Sequence, residues 1–216
     1  MNRTMNRTRI AILALCTAVL PQLQGCFPMI AAGAGTAALS VIDRRTTGTQ
    51  VDDEGIELRI SNRAGERVGD KGHVSVTAYN RNVLLTGEVP DESARVALEK
   101  IALGVPNVRG VTNELVVAGN PSLTARSNDA FLTSKVKARF VDAGKFNAVH
   151  VKVVTENGVA YLLGIVTQKE GDAAVEIART TSGVRKVVKV FEYCRETDEV
   201  CRPREQARPE PKKAGS

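Results

Sequence analysis

The apolar positions of this chain form short runs of two periods, and the whole series occurs twice. Val74, Val76 and Ala78 alternate with polar residues, as do Val149, Val151 and Val153, which predicts a half-buried strand in each place. Ahead of the second run Leu132, Val136 and Phe140 recur at the spacing of one helical face, and Ile56 and Ile60 hold the matching places in the first copy. After each alternating run comes a denser apolar one. Val83-Leu84-Leu85-Thr86-Gly87-Glu88-Val89 in the first copy matches Ala160-Tyr161-Leu162-Leu163-Gly164-Ile165-Val166 in the second, at an offset of 77. A second helix follows, with Ala97, Leu98 and Ile101, or Ala174, Val175 and Ala178, as its buried face. A last strand closes each unit, over 111–117 and 185–191.

Punctuation between the runs supports this order. Asn157-Gly158 is a tight hairpin signal, and Thr167 with Glu170 makes a capping box at the start of the second helix. Asp52 or Asp53, and Asn128 or Asp129, are the expected caps of the first helices. Gly87 and Gly164 are expected to end their strands, where a side chain would strike packed backbone or need a positive φ. The fold class is therefore α+β: two tandem α-β-β-α-β modules, each a small three-stranded sheet with two helices. Their bounds are 51–118 and 128–193, with a linker at 119–127 and an extension at 194–216 that is largely disordered, since it is rich in Pro and charge. Units of this size bury limited surface, so the two copies are expected to pack together.

The N-terminus follows other rules. Arg3, Arg7 and Arg9 precede an apolar run of 11 residues, 10–20, too short to cross a bilayer as a helix. This is the pattern of a secretory signal peptide, here 1–25. Leu23-Gln24-Gly25-Cys26 resembles the lipobox of bacterial lipoproteins. The thiol of Cys26 can take a diacylglycerol as a thioether, and cleavage frees its amine for a further acyl chain. Two or three chains anchor a protein firmly, at about 0.8 kcal/mol per buried CH₂. Phe27 follows, not the Asp that retains enteric-type lipoproteins at the inner membrane, so the expected location is the outer membrane, lipid-anchored and facing the periplasm. Residues 26–50 read as the lipidated tether.

Cysteine use agrees with an oxidising compartment. Once Cys16 leaves with the signal and Cys26 is lipidated, Cys194 and Cys201 remain. Their spacing fits a short disulfide better than zinc, and two free thiols fit it too. Catalytic chemistry has little to rest on. His73 and His150 both stand in strand-like stretches, and nucleophile-elbow, zinc-protease and phosphate-loop motifs are absent from the sequence. No metal or cofactor is expected.

The paired cores Leu85-Thr86-Gly87-Glu88-Val89 and Leu162-Leu163-Gly164-Ile165-Val166 resemble the BON domain, a bacterial periplasmic module. Gly48 to Asp53, Asn80 to Leu85, Ser127 to Asp129 and Val151 to Gly158 are closer still to the dual-BON lipoproteins linked to division and outer-membrane stress. That resemblance covers most of 20–193. It implies binding of anionic phospholipid by the second domain, a place on the inner leaflet of the outer membrane, enrichment at division sites and a link to the β-barrel assembly machinery. It implies no catalysis.

The residues themselves point to a lipid-facing surface. On a helical wheel over 129–142, Leu132, Val136 and Phe140 mark the core side. Phe131, Ser134, Lys135, Ala138 and Val141 fall roughly opposite, with Lys137 on one flank and Arg139 further round on the other. An apolar wedge beside cations suits an anionic bilayer. Two readings of Phe131 stand: insertion into lipid, or packing against the first domain or the linker. In the resembled family the position is a bulky aromatic. Charge divides the copies as well. Residues 49–118 hold 8 Lys and Arg against 11 Asp and Glu, a net of −3, and 128–193 hold 10 against 7, a net of +3. Gly55 stands in copy one where Phe131 stands in copy two. The asymmetry fits lipid binding by the second copy, and equally fits attraction between the copies. Nucleic acid is not an expected partner, given the compartment and the acidic first copy. Two functions follow from these features: a module that binds anionic phospholipid, or a protein adaptor for envelope assembly.

Overall fold

The computed structural model describes residues 43–119 and 123–202. Both modules lie in one compact unit. The first module runs α1 (Thr47–Val68), β1 (His73–Tyr79), β2 (Asn82–Val89), α2 (Glu92–Leu103), β3 (Gly110–Asn113) and β4 (Val116–Val117). The second runs α3 (Leu123–Ala143), β5 (Lys152–Glu156), β6 (Val159–Val166), α4 (Gln168–Arg179) and β7 (Lys186–Tyr193). In each, a hairpin pairs antiparallel (β1 with β2, β5 with β6), and the closing strand returns through a helix to lie parallel to the central one. β3 and β4 are one closing strand in two pieces, interrupted at Glu114-Leu115, and Leu115 turns into the core.

Alternation decides which face of each sheet meets the helices. Ile56, Ile60, Ala64, Leu98 and Ala102 of the helices pack on Val83, Leu85 and Val89. In the second module Val136, Phe140, Ala174, Ile177 and Ala178 pack on Val151, Val153, Leu162 and Val166. The opposite faces of the two sheets meet each other. Tyr79 and Leu84 of the first module share a buried cluster with Tyr161, Leu163 and Ile165 of the second, and Val154, Val188 and Val190 pack against it. The layers are therefore helices, sheet, sheet, helices.

Polar struts cross the junction. Arg44 donates to a carboxylate oxygen of Glu170 at 2.6 Å and to the Ile165 carbonyl at 2.8 Å. Burial opposes the charge of Glu170, but Arg44, the Thr167 amide and His150 outweigh it and hold this carboxyl at about 2. Lys152 of β5 donates to Glu57 of α1 at 2.9 Å, and Asn80 and Asn82 both donate to Glu192 of β7. Next to Arg44, Arg45 binds Asp43 and Asp53 and lies over the Tyr79 ring.

Several boundaries depart from the sequence reading, each for a local reason. Thr46, not Asp52 or Asp53, caps α1, its hydroxyl accepting from the Thr49 amide. Asp53 is 2% exposed and accepts the amides of Asn80 and Arg81, which turn the β1–β2 hairpin. Asp129 does the same for Asn157 and Gly158. These acids tie a helix to a hairpin turn whose residues have positive φ: Asn80, Arg81, Asn157 and Gly158. Residues 43–50 of the expected tether belong to the folded part, because Arg44 and Arg45 bind into the junction. Residues 123–127 of the expected linker form the first turns of α3. Val149 belongs to a 3-10 turn, Ala148–His150, not to a strand. After β7, Cys194 and Cys201 are joined by a disulfide, and Cys201 is buried in the cluster between the sheets. Residues 203–216 lie outside the described part.

Gly87 and Gly164 lie inside β2 and β6, not at their ends. A Cβ on Gly87 would come within 2.0 Å of the His73 carbonyl oxygen, at a φ of +110°, and one on Gly164 within 2.3 Å of the His150 carbonyl oxygen. Gly87 is needed for both space and backbone conformation, Gly164 for space. Gly87→Ala and Gly164→Ala are each expected to cost about 1–3 kcal/mol by forcing the strands apart. In a unit of this size that lowers Tm by roughly 2–4 °C per kcal/mol, and Gly164→Glu costs more. Thermal unfolding followed by circular dichroism measures the loss; unchanged melting would contradict the close approach.

Candidate functional site

α3 presents its core side to the sheet and leaves a long outer face in solvent. Phe131 is 64% exposed and Val141 68% exposed, about 80° apart around the helix. Thr124, Ser127, Ser134 and Ala138 are exposed on the same side. Phe131 is therefore covered neither by the first domain nor by the described part of the linker. Lys137 is exposed on the flank. Asp142 is exposed as well, some three turns beyond Phe131, and puts an acid at the far end of this face.

Not every residue that the wheel gathers is available to a ligand. Arg139 donates to the Ile177 carbonyl at 2.8 Å and to the Thr181 hydroxyl at 2.7 Å. It thus closes the C-terminal end of α4, where carbonyls lack helical partners and a cation is favoured. This is a correction to the wheel, which shows angle but not the neighbouring helix. Lys135 is half-buried and its ammonium donates to the Ser182 carbonyl at 3.0 Å, in the turn after α4. The Ser134 hydroxyl donates back to the Ala130 carbonyl. The face is more apolar and less cationic than its sequence suggests.

The matching helix of the first domain is not bare. Val51 is 64% exposed and Leu58 63%, two turns apart on the outside of α1. Comparison of Gly55 with Phe131 alone misses them, because the exposed apolar residues of the two copies occupy different positions. Glu54 and Arg59 are exposed beside them. Among the described residues no group of His, Cys, Asp and Glu could hold a metal ion, and no helix is long and apolar enough to cross a membrane. Cys26 lies outside the described residues.

The role of Arg139 can be measured apart from any ligand. Arg139→Ala removes the charged donor to the Ile177 carbonyl and the Thr181 hydroxyl, while the Thr180 and Thr181 hydroxyls still donate to that carbonyl, and is expected to cost about 0.5–1.5 kcal/mol. A fall in Tm is the expected result, and a variant as stable as the parent would return Arg139 to the exposed face.

A family model described as the BON domain matches residues 52–119 and again 128–195. Over 173 residues the chain is 42% identical to the outer membrane lipoprotein DolP of Haemophilus influenzae, covering 79% of this chain and 90% of that protein. It is 35% identical over 154 residues to the 21 kDa hemolysin of Actinobacillus pleuropneumoniae, covering 70% and 79% of the two. It is 31% identical over 144 residues to the osmotically-inducible protein Y of Escherichia coli, covering 65% and 72%. None of these matches points to an enzyme family. The chain belongs to the BON-domain family and is an outer membrane lipoprotein with two BON domains in tandem.

Proposed function

We propose that this lipoprotein is not an enzyme, that Cys26 carries its lipid anchor, and that its second BON domain docks on anionic phospholipid through the outer face of α3. The observation that carries the reading is the exposure of Phe131 and Val141 on one helix of a domain whose net charge is +3. An aromatic and a β-branched side chain held in water have apolar surface to bury, and a bilayer interface buries it without disturbing the core. Lys137, and Lys135 when its ammonium swings from the Ser182 carbonyl, supply attraction of about 1 kcal/mol each near an anionic surface. In this reading the protein supports outer-membrane integrity, at division sites as the family resemblance implies.

A second reading rests on Val51 and Leu58. The domain that carries them has a net charge of −3, so this face suits a protein better than anionic lipid. In that reading the chain is an adaptor, with the β-barrel assembly machinery as the partner the resemblance implies.

Cys26→Ala is expected to leave the protein unlipidated and out of the outer-membrane fraction; normal fractionation of that variant would remove the anchor assignment. For the bilayer contact the decisive comparison is Phe131→Glu against Gly55→Glu in co-sedimentation with anionic and neutral liposomes. Phe131→Glu removes up to about 1.5–3 kcal/mol of apolar burial and is expected to weaken binding about tenfold. Gly55→Glu meets only the flexible end of Arg59 and is expected to leave binding unchanged. If both folded variants bind as well as the parent, the lipid reading fails and the adaptor reading takes its place.

A further inference from the structure

Between β1 of the first domain and α3 and β5 of the second lies an open cleft of about 350 Å³. His73, Ser75 and Thr77 line it from β1, Arg126, Asp129 and Thr133 from α3, and Thr155 and Glu156 from β5. Glu88 of β2 is paired directly opposite His73 in the antiparallel register, so both side chains stand on the face that meets the second domain. Glu88 is 4% exposed, and one of its carboxyl oxygens has no hydrogen-bond partner. From the second domain, Glu156 reaches within 4.0 Å of the His73 imidazole. Two carboxyl groups, one from each domain, thus flank one imidazole at the junction, apart from the polar struts described above.

We propose that Glu88 and Glu156 form a proton-operated latch that sets how tightly the two BON domains hold each other. The charges facing the pair come from every element around it. His73 stands on β1, Asp129 and Arg126 on α3, and Tyr161 on β6, itself next to Glu114. The Asp129 carboxylate is committed to the amides of Asn157 and Gly158. Arg126 is the guanidinium near both latch carboxyls, and one positive charge cannot balance two buried negative ones. When one carboxyl holds a proton, the pair carries a single charge opposite Arg126, and the junction closes at little electrostatic cost. When both ionise, like charges oppose each other at the junction, and the docked state carries the cost.

The direction follows from the groups themselves. Burial, then the Glu88 and Asp129 carboxylates, push Glu156 up to about 7, against the pull of Arg126. Burial also raises Glu88. A carboxyl raised on docking stabilises the docked state fully below the ordinary value of 4.5, and that contribution is lost as pH rises through about 7. His73, lowered by burial and by Arg126, works the other way below its ordinary value of 6.5, favouring the docked state as pH rises. Comparison with a variant that lacks only the Glu156 charge separates the two.

The test is a distance measurement between domains. The mature chain with Cys26→Ala takes spin labels at Arg63→Cys on α1 and Arg179→Cys at the end of α4, both exposed. Pulsed electron resonance then reports the interdomain distance at about pH 5.5 and about pH 8.5, either side of the raised value. One narrow distance is expected at the lower pH, with a longer and broader component at the higher. Glu156→Gln is expected to keep the narrow distance at both. Circular dichroism establishes that the variant folds, and Glu88→Gln replaces it if it does not. A parent distribution independent of pH, or the same broadening in the Gln variant, overturns the latch.

Discussion

A small sheet with helices on one face has a second face to cover, and that requirement governs the rest of this molecule. A module of about 70 residues has no further element of its own to supply. Here the two copies cover each other, sheet against sheet, and the helices are left outside. The two contributions are unequal. The second domain offers an apolar face of Val154, Tyr161, Leu163, Ile165, Val188 and Val190, while the first offers Tyr79 and Leu84 among Ser75, Thr77, Thr86 and Glu88. The mismatch leaves the apolar part of the junction well packed and the polar part hollow.

The same packing releases the outer helix faces for contact with other molecules. If helices met helices between the domains, Phe131 and Val141 would have neighbours. With the sheets inside, α1 and α3 face solvent, and their apolar side chains are available. The cations around them are partly committed within the fold: Arg139 and Lys135 serve carbonyls at and beyond the end of α4, and what remains for a charged partner is smaller than the net charge of the domain suggests.

The repeat made most of this fold legible from sequence, because periods of two and of about 3.6 fix which side of an element is buried. The strands β2 and β6, the helix cores and the capping box of Thr167 and Glu170 follow from that pattern. What it could not show came from contacts distant in sequence. Asp53 and Asp129 have the residue type of a helix cap, yet their partners are hairpin amides some 28 positions further on. Arg139 has the wheel angle of a flank residue, but its partners stand on another helix. Tyr161 and Leu163 alternate with Leu162, and a central strand covered on both faces reads as a continuous apolar run, with no mark of what covers the second face. In the candidate site Phe131 and Val141 were legible because they break the polar face of a helix, whereas Val51 and Leu58 were hidden by a comparison that looked only at matching positions.

The grip of Arg44 and Arg45 bears on how a mechanical load enters the molecule. The chain reaches the folded part at the seam, with Arg44 bound to the second domain and Arg45 to the first. A pull through the preceding chain therefore divides at two adjacent residues and acts on both domains together. To peel the second domain from the first, it must first break the bidentate pair of Arg44 with Glu170, while Arg45 keeps the segment on the first domain through Asp53. Suspended in this way, the two domains share the strain, and neither is the weak point by position alone.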